Sequence, residues 1–368
     1  MPTDDVDPQA RRLSRSFLRD GLADVEPYHV EPHRHRVKLD ANESPYDAPP
    51  DLKAEIAGAF ADTRWNRYPD PRAERLRLAL ADRLGVPIGC VGVGNGSDEI
   101  IAALIHALGR TDARVVAPEP TFSMYGILAR AAGVEYHGAP LTSDFELDSD
   151  ALHAALRPGG TKIVFISYPN NPTGACWDRD TIANLLDVPG VLLVLDEAYY
   201  EYSGMTFLPE LATRGNLIVL RTFSKAFGLA SLRVGYMVAD PEWVDVVDRV
   251  RLPYNVNALS QVAALTILAH DDRVAEHLRW VMEERDRVLA ALDEAEGIET
   301  FPTDANFVLF RPREGADAVF NRLLQAGVLI RNLDRPGLLR NCLRVTIGTP
   351  TENTAFLAGL LGEPAAVA

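Results

Sequence analysis

Between residues 114 and 239, short apolar runs alternate with stretches of helical period, and this alternation leaves the chain very few architectures. Residues 114–118, 134–137, 162–167, 191–195, 217–220 and 233–239 read as strands, with helices at 122–132 and 179–187 among them. Short apolar strands alternating with helices imply a largely parallel sheet covered by helices on both faces. Ligands of such sheets gather beyond the carboxyl ends of the strands. Asn171 follows the run 162–167, Asp196 follows 191–195 and Lys225 follows 217–220. Spacing and topology thus deliver three polar side chains to one edge.

Lys225 is one of only four lysines, with Lys38, Lys53 and Lys162. It lies among small residues and hydroxyls in Leu220-Arg-Thr-Phe-Ser-Lys-Ala-Phe-Gly228, with Arg233 eight positions on. An arbitrary lysine belongs on a surface loop. A lysine that must form a Schiff base needs partial burial to lower its pKa, and nearby anion binders for a phosphorylated cofactor. The surroundings of Lys225 favour the second reading. Gly92-Val-Gly-Asn-Gly-Ser-Asp-Glu99 opens a helix at 98–108. Small residues there let a ligand approach the backbone, and exposed amides attract anions. The pattern is common, its spacing is not that of a dinucleotide fingerprint, and Ser97 would also serve as a plain N-cap. Asp196-Glu197 could equally mark a magnesium site after a strand, but no Gly-Lys-Ser/Thr phosphate cradle accompanies it. Pro169-Asn-Asn-Pro-Thr-Gly174 is also a good turn in its own right.

With 368 residues the chain has room for about two domains. A net charge of -15 argues against nucleic acid or an anionic membrane as partner, since both reward basic patches. Cys90, Cys176 and Cys342 are odd in number and widely spaced, which fits reduced thiols in a cytoplasm and suggests no metal site. No apolar run reaches the length of a membrane span, and no signal pattern opens the chain. Residues 1–20 read as a flexible arm with a short helix at 11–18, and 28–35 as an extended segment carrying His29, His33 and His35. Helices are expected at 52–60, 73–84, 243–249, 260–270, 273–295 and 316–326. A short strand is expected at 37–39; strands at 306–310, 328–331 and 342–347 around the last of these helices suggest a small α+β domain, and 363–368 should fray.

The motifs, taken in order, resemble fold-type I pyridoxal-phosphate aminotransferases, and more narrowly their histidinol-phosphate aminotransferase branch. They are Lys38-Leu-Asp-Ala-Asn-Glu-Ser-Pro-Tyr46, Arg67-Tyr-Pro69, Gly96-Ser-Asp-Glu99, Pro120-Thr-Phe-Ser-Met-Tyr125, Asn170-Asn-Pro-Thr-Gly174, Asp196-Glu-Ala-Tyr199, residues 221–235 and Leu343-Arg-Val-Thr-Ile-Gly348. The resemblance implies an α/β fold: a mainly parallel central sheet covered by helices, with a smaller α+β domain built from both chain ends. Its divisions would be an arm at 1–20, a first part of the small domain at 21–64, the large domain at 65–257 and the rest of the small domain at 258–368.

By the same resemblance the cofactor is pyridoxal 5'-phosphate, bound covalently by Lys225. Asp196 would keep the ring nitrogen protonated, and Tyr199 and Asn171 would bond the ring's phenolic oxygen. The backbone of Ser97 and Asp98, the Ser224 hydroxyl and Arg233 would hold the phosphate, with Tyr68 reaching it from the second subunit of a homodimer, and Thr222 would also bind the cofactor. Phe122 stands where the family usually stacks a tyrosine on the ring, and it keeps the π face without the hydroxyl. Arg344, Arg331 and Asn42 would bind substrate. The reaction implied is amino exchange between histidinol phosphate and 2-oxoglutarate in histidine biosynthesis, in the cytoplasm. An aromatic amino-acid aminotransferase and a threonine-phosphate decarboxylase share the scaffold. Asn332, where the family often has aspartate, and Ser44, where some members have a substrate-contacting tyrosine, depart from the pattern.

Overall fold

The computed structural model describes residues 17, 22, 32–108, 112–156 and 160–362. The expected arm and its helix, apart from Phe17, and the segment 363–368 lie outside the described residues, as does His29. Two sheets organise the chain. The strands are β1 Val37–Leu39, β2 Val91–Gly94, β3 Arg114–Glu119, β4 Glu135–Pro140, β5 Lys162–Ser167, β6 Val191–Asp196, β7 Leu217–Thr222, β8 Gly235–Ala239, β9 Ile298–Thr300, β10 Phe307–Pro312, β11 Val328–Asn332 and β12 Leu343–Thr346.

The larger sheet runs β2-β8-β7-β6-β5-β3-β4. Strands β3 to β7 pair in parallel, whereas β8 lies antiparallel to both β7 and β2. The central strands are apolar along their middles because both faces are covered, with polar residues only at their ends. Alternate residues divide between two cores: Val164, Leu193 and Val219 point to one, and Ile163, Leu192 and Ile218 to the other. The helices Ser97–Ala107, Met124–Ala132 and Pro241–Val250 bury Ile101, Leu104, Ala129 and Val247 in the second core. The helix Ser149–Ala155 sends Leu152 into the first. Each fully buried aliphatic side chain contributes roughly 1.5–3 kcal/mol of transfer free energy, so the sheet forms a stiff platform.

The smaller sheet runs β1-β11-β12-β10-β9. Here β1 joins β11 in parallel, with Leu39 beside Ile330, so a segment from the start of the described chain completes a sheet made near its finish. The helices Asp271–Glu294, Ala316–Gln325 and Pro350–Leu361 cover it through Val288, Leu323 and Phe356. Tyr199 and Ala226, from the loops beyond β6 and β7, enter the same core and tie the two sheets together.

Most elements lie within a few residues of their expected positions. The expected helix at 179–187 is an α-helix Arg179–Ala183 continued by a 3-10 turn, Asn184–Asp187. Strand β2 went unread because Gly92 and Gly94 dilute its apolar run. A Cβ on Gly92 would sit 2.8 Å from Met237 Cγ, so glycine is what lets β2 pack there. Among the described residues no helix is long and apolar enough to cross a membrane.

Candidate active site

Strands β2, β5, β6 and β7 end on one rim of the larger sheet, and antiparallel β8 begins there, with Thr222 and Gly94 both opposite Gly235. The loops beyond these ends and the edge of the smaller sheet enclose a cavity of about 530 Å³. Asn42, Ser97, Asp98, Phe122, Asn171, Asp196, Tyr199, Thr222, Ser224, Lys225, Arg233, Arg331 and Arg344 all line it. Tyr68 does not. It is 79% exposed and stacks on Tyr254 at 4.4 Å between ring centroids, away from the cavity of its own chain.

Asp196 closes the floor at the end of β6, 3% exposed. The Tyr125 hydroxyl donates to its Oδ2 at 2.7 Å, while Oδ1 is buried with no hydrogen-bond partner. Burial pushes the carboxyl pKa up to about 6, against the pull of the Tyr125 donor. Tyr199 Oη accepts from Asn42 Nδ2 at 2.9 Å, and burial raises its pKa to about 12. Lys225 Nζ donates to the Ala41 carbonyl at 3.1 Å. Desolvation, followed by repulsion from Arg344, lowers its pKa to about 8.

An anion cradle lies beside these groups. The helix Ser97–Ala107 starts after Gly96 with no side chain capping its first amides. Such an end carries about half a positive charge. Gly96 has φ of +79°, and a Cβ there would lie 2.4 Å from Arg233 Nη2. A Cβ on Gly235 would lie 2.3 Å from the Ser97 amide nitrogen. Arg233 donates to Ser224 Oγ at 3.3 Å and to Asp98 Oδ2 at 3.0 Å, and Thr222 Oγ1 donates to Ser224 Oγ at 3.0 Å. An orphaned buried acceptor, a low-pKa amine and an amide-lined cradle that only glycine leaves open fit a phosphorylated pyridinium aldehyde.

The smaller sheet supplies the opposite wall. Arg344 donates through Nη1 to Asn171 Oδ1 at 2.5 Å and through Nη2 to the Asp40 carbonyl at 2.9 Å. Arg331 is its direct register partner across the β11–β12 pair, so both side chains leave the same face. The two departures point elsewhere. Asn332 donates to Asp317 Oδ1 at 2.8 Å, and Ser44 Oγ donates to the Tyr46 carbonyl at 3.2 Å. Other groups at the site carry no role in the motifs. Lys38, ion-paired with Asp40 at 3.0 Å, and Arg335 both reach the cavity, and Tyr125 supports its floor. Tyr125 lay inside a quoted motif, but only the packing against β6 gives it a partner.

Beneath the site Arg221 donates to Glu197 Oε2 through Nε at 3.1 Å and Nη2 at 2.9 Å, with both residues buried. This pair ties the end of β7 to the residue after β6. It also explains why acid and base flank Asp196 and Thr222 in the motifs.

Residues 34–360 match the family described as aminotransferase class I and II. A curated relative, histidinol-phosphate aminotransferase 2 of Cupriavidus pinatubonensis, is 42% identical over 359 residues, covering 96% of this chain and 97% of its own. The solved histidinol-phosphate aminotransferase of Sinorhizobium meliloti, in complex with pyridoxal-5'-phosphate, superposes with a TM-score of 0.81 at 27% identity, covering 89% of this chain and 91% of its own. L-threonine-O-3-phosphate decarboxylase of Porphyromonas gingivalis superposes with a TM-score of 0.76 at 26% identity, over 88% and 98% of the two chains.

Proposed function

The chain belongs to the class I and II aminotransferases, and from that premise we propose that it exchanges an amino group between histidinol phosphate and 2-oxoglutarate, using pyridoxal 5'-phosphate. The observation that carries the substrate reading is the pair Arg331 and Arg344, directly opposite in register and lining one cavity with Lys225. Histidinol phosphate brings a phosphate where glutamate brings a carboxylate. The planar guanidinium fork bonds either anion in bidentate fashion.

When bound, the cofactor supplies an electron sink for the charge left as the substrate's Cα loses its proton. Asp196, whose Oδ1 is buried with no hydrogen-bond partner, would hold a proton on the ring nitrogen. Lys225 would bind the cofactor through its amine, and the same amine, once freed by substrate, would take the Cα proton, a role that its burial suits. Tyr199 and Asn171 would hold the phenolic oxygen, and Phe122 would cover a ring face. The Ser97 and Asp98 amides, Thr222, Ser224 and Arg233 hold the phosphate. Arg344 grips the carboxylate of glutamate, Arg331 adds a contact to the substrate phosphate, and Asn42 fixes Tyr199 beside them.

The same proposal includes a homodimer in the cytoplasm. Exposed Trp65, Tyr68, Leu252 and Tyr254 favour a second copy of the chain as partner, and three cysteines without disulfides suit a reducing compartment. It also retains residues 65–257 as the large domain, with 21–64 and 258–368 as the small one, a division supported by the pairing of β1 with β11. Assays with histidinol phosphate, phenylalanine and threonine phosphate as alternative substrates test the reading. Arg331→Ala should reduce kcat/KM for histidinol phosphate roughly ten- to hundredfold, the loss of one charge-assisted contact, and leave phenylalanine nearly unaffected. Preference for phenylalanine would install the aromatic aminotransferase reading. Carbon dioxide release from threonine phosphate would install the decarboxylase.

A further inference from the structure

We propose that Tyr125 is a positioning residue that fixes two cofactor contacts together, the carboxylate of Asp196 at the ring's edge and Phe122 over the ring's face. The inference rests on the pyridoxal-phosphate reading above. Tyr125 is fully buried on the helix Met124–Ala132. Its ring lies almost parallel to Phe165 at 4.7 Å between centroids, with 9° between the planes, which fixes the direction of the hydroxyl. The hydroxyl donates to Asp196 Oδ2, and the same ring meets Phe122 edge-on at 5.5 Å and 85°. One side chain therefore touches both residues assigned to the cofactor ring from below.

The division of labour follows from the two oxygens of a carboxylate. The terminal torsion of an aspartate is soft and two-fold, so burial alone leaves either oxygen able to face the cavity. The Tyr125 donor engages Oδ2 and leaves Oδ1 for the ring nitrogen. It also keeps Asp196 charged at neutral pH. Burial, Asp98 on the helix Ser97–Ala107 and the adjacent Glu197 all favour the protonated acid, while Tyr125 and the Ala198 amide favour the anion. Tyr199 stands beside it, and Lys225, Arg233 and Arg344 line the same cavity. Tyr125 itself stays a neutral donor, because burial and the nearby Asp196 carboxylate hold its pKa well above the usual tyrosine value.

The test is the dissociation constant of pyridoxal 5'-phosphate, measured by equilibrium dialysis of the full-length protein from pH 5 to pH 8.5. Binding of the ring as its pyridinium requires ionised Asp196, so affinity should fall as pH drops through the range in which Asp196 gains a proton. Tyr125→Phe removes only the hydroxyl and should move the midpoint of that fall upward by about one pH unit, weakening binding about fivefold near pH 6, about tenfold at pH 5 and little at pH 8.5. A loss of affinity equal at every pH, or an unmoved midpoint, would overturn the inference. Phe165→Leu keeps the hydroxyl and releases the ring, so it should move the midpoint the same way by a smaller amount. If Tyr125→Phe does not fold, an unmoved midpoint in Phe165→Leu overturns the inference equally. Failure of the unmodified protein to bind the cofactor would overturn the cofactor reading, and this inference with it, whereas normal binding with unmoved variants overturns this inference alone.

Discussion

Lys225 faces Arg344 and Arg233, and that setting decides how its amine reacts. With a pKa near 8, about one amine in ten is unprotonated at pH 7, against roughly one in several thousand for an ordinary lysine. Attachment of pyridoxal phosphate, followed by its absorbance, should therefore quicken about tenfold per pH unit up to pH 8 and then level off. Lys225→Ala should keep its melting temperature, lose the label fixed by borohydride and lose transamination. An active variant labelled at Lys162 would refute the assignment. Asp196→Asn should fold normally yet slow turnover by orders of magnitude, equivalent to roughly 4 kcal/mol of barrier, as for other strong electrostatic stabilisers. Near-normal steady-state rates would place the nitrogen's partner elsewhere. These residues were legible because each sits in a short continuous motif at a strand end. Tyr125 was not, since its meaning depends on a partner 71 positions away.

Loops and strand ends form the anion cradle, and their backbones leave no room for side chains. Gly235→Ala would bring a methyl group onto the Ser97 amide, a backbone atom that cannot swing away. We expect at least tenfold weaker cofactor binding by dialysis. Gly58→Ala is the matched control: it sits in the helix Pro50–Ala61 with open space around its Cα, and alanine there should add about 0.5–1 kcal/mol of stability in a denaturant titration. A Gly235→Ala protein that binds normally would mean the cradle lies elsewhere. The strands between 114 and 239 were readable because burial on both faces makes them continuously apolar. Glycines hid β2, and β9 and the helix Pro350–Leu361 were too weakly patterned to stand out, although Thr349 and Glu352 form a capping box at the start of that helix.

At the scale of the whole molecule, Tyr68 is an exposed aromatic side chain that does not line its own chain's cavity. If it serves a neighbour's phosphate, inactive Tyr68→Ala and Lys225→Ala proteins should recover part of their activity when mixed. In such a heterodimer one of the two sites has both residues intact. Verified subunit exchange with no recovery would assign Tyr68 to its own chain. The alternation of apolar runs with helices announced the general architecture, but the juxtaposition of Arg331 and Arg344 is a matter of sheet register, which a linear reading does not contain. The pairing of β1 with β11 has a consequence for synthesis. A ribosome delivers Asp196, Lys225 and the cradle long before it releases residues 328–332, and until then β1 has no neighbour in its sheet. Closing so long a loop is slow. A growing polypeptide would thus assemble the rim that takes the cofactor before it owns either arginine of the opposite wall. Vitamin capture would come first during translation, and competence to discriminate substrates only as the last strands emerge.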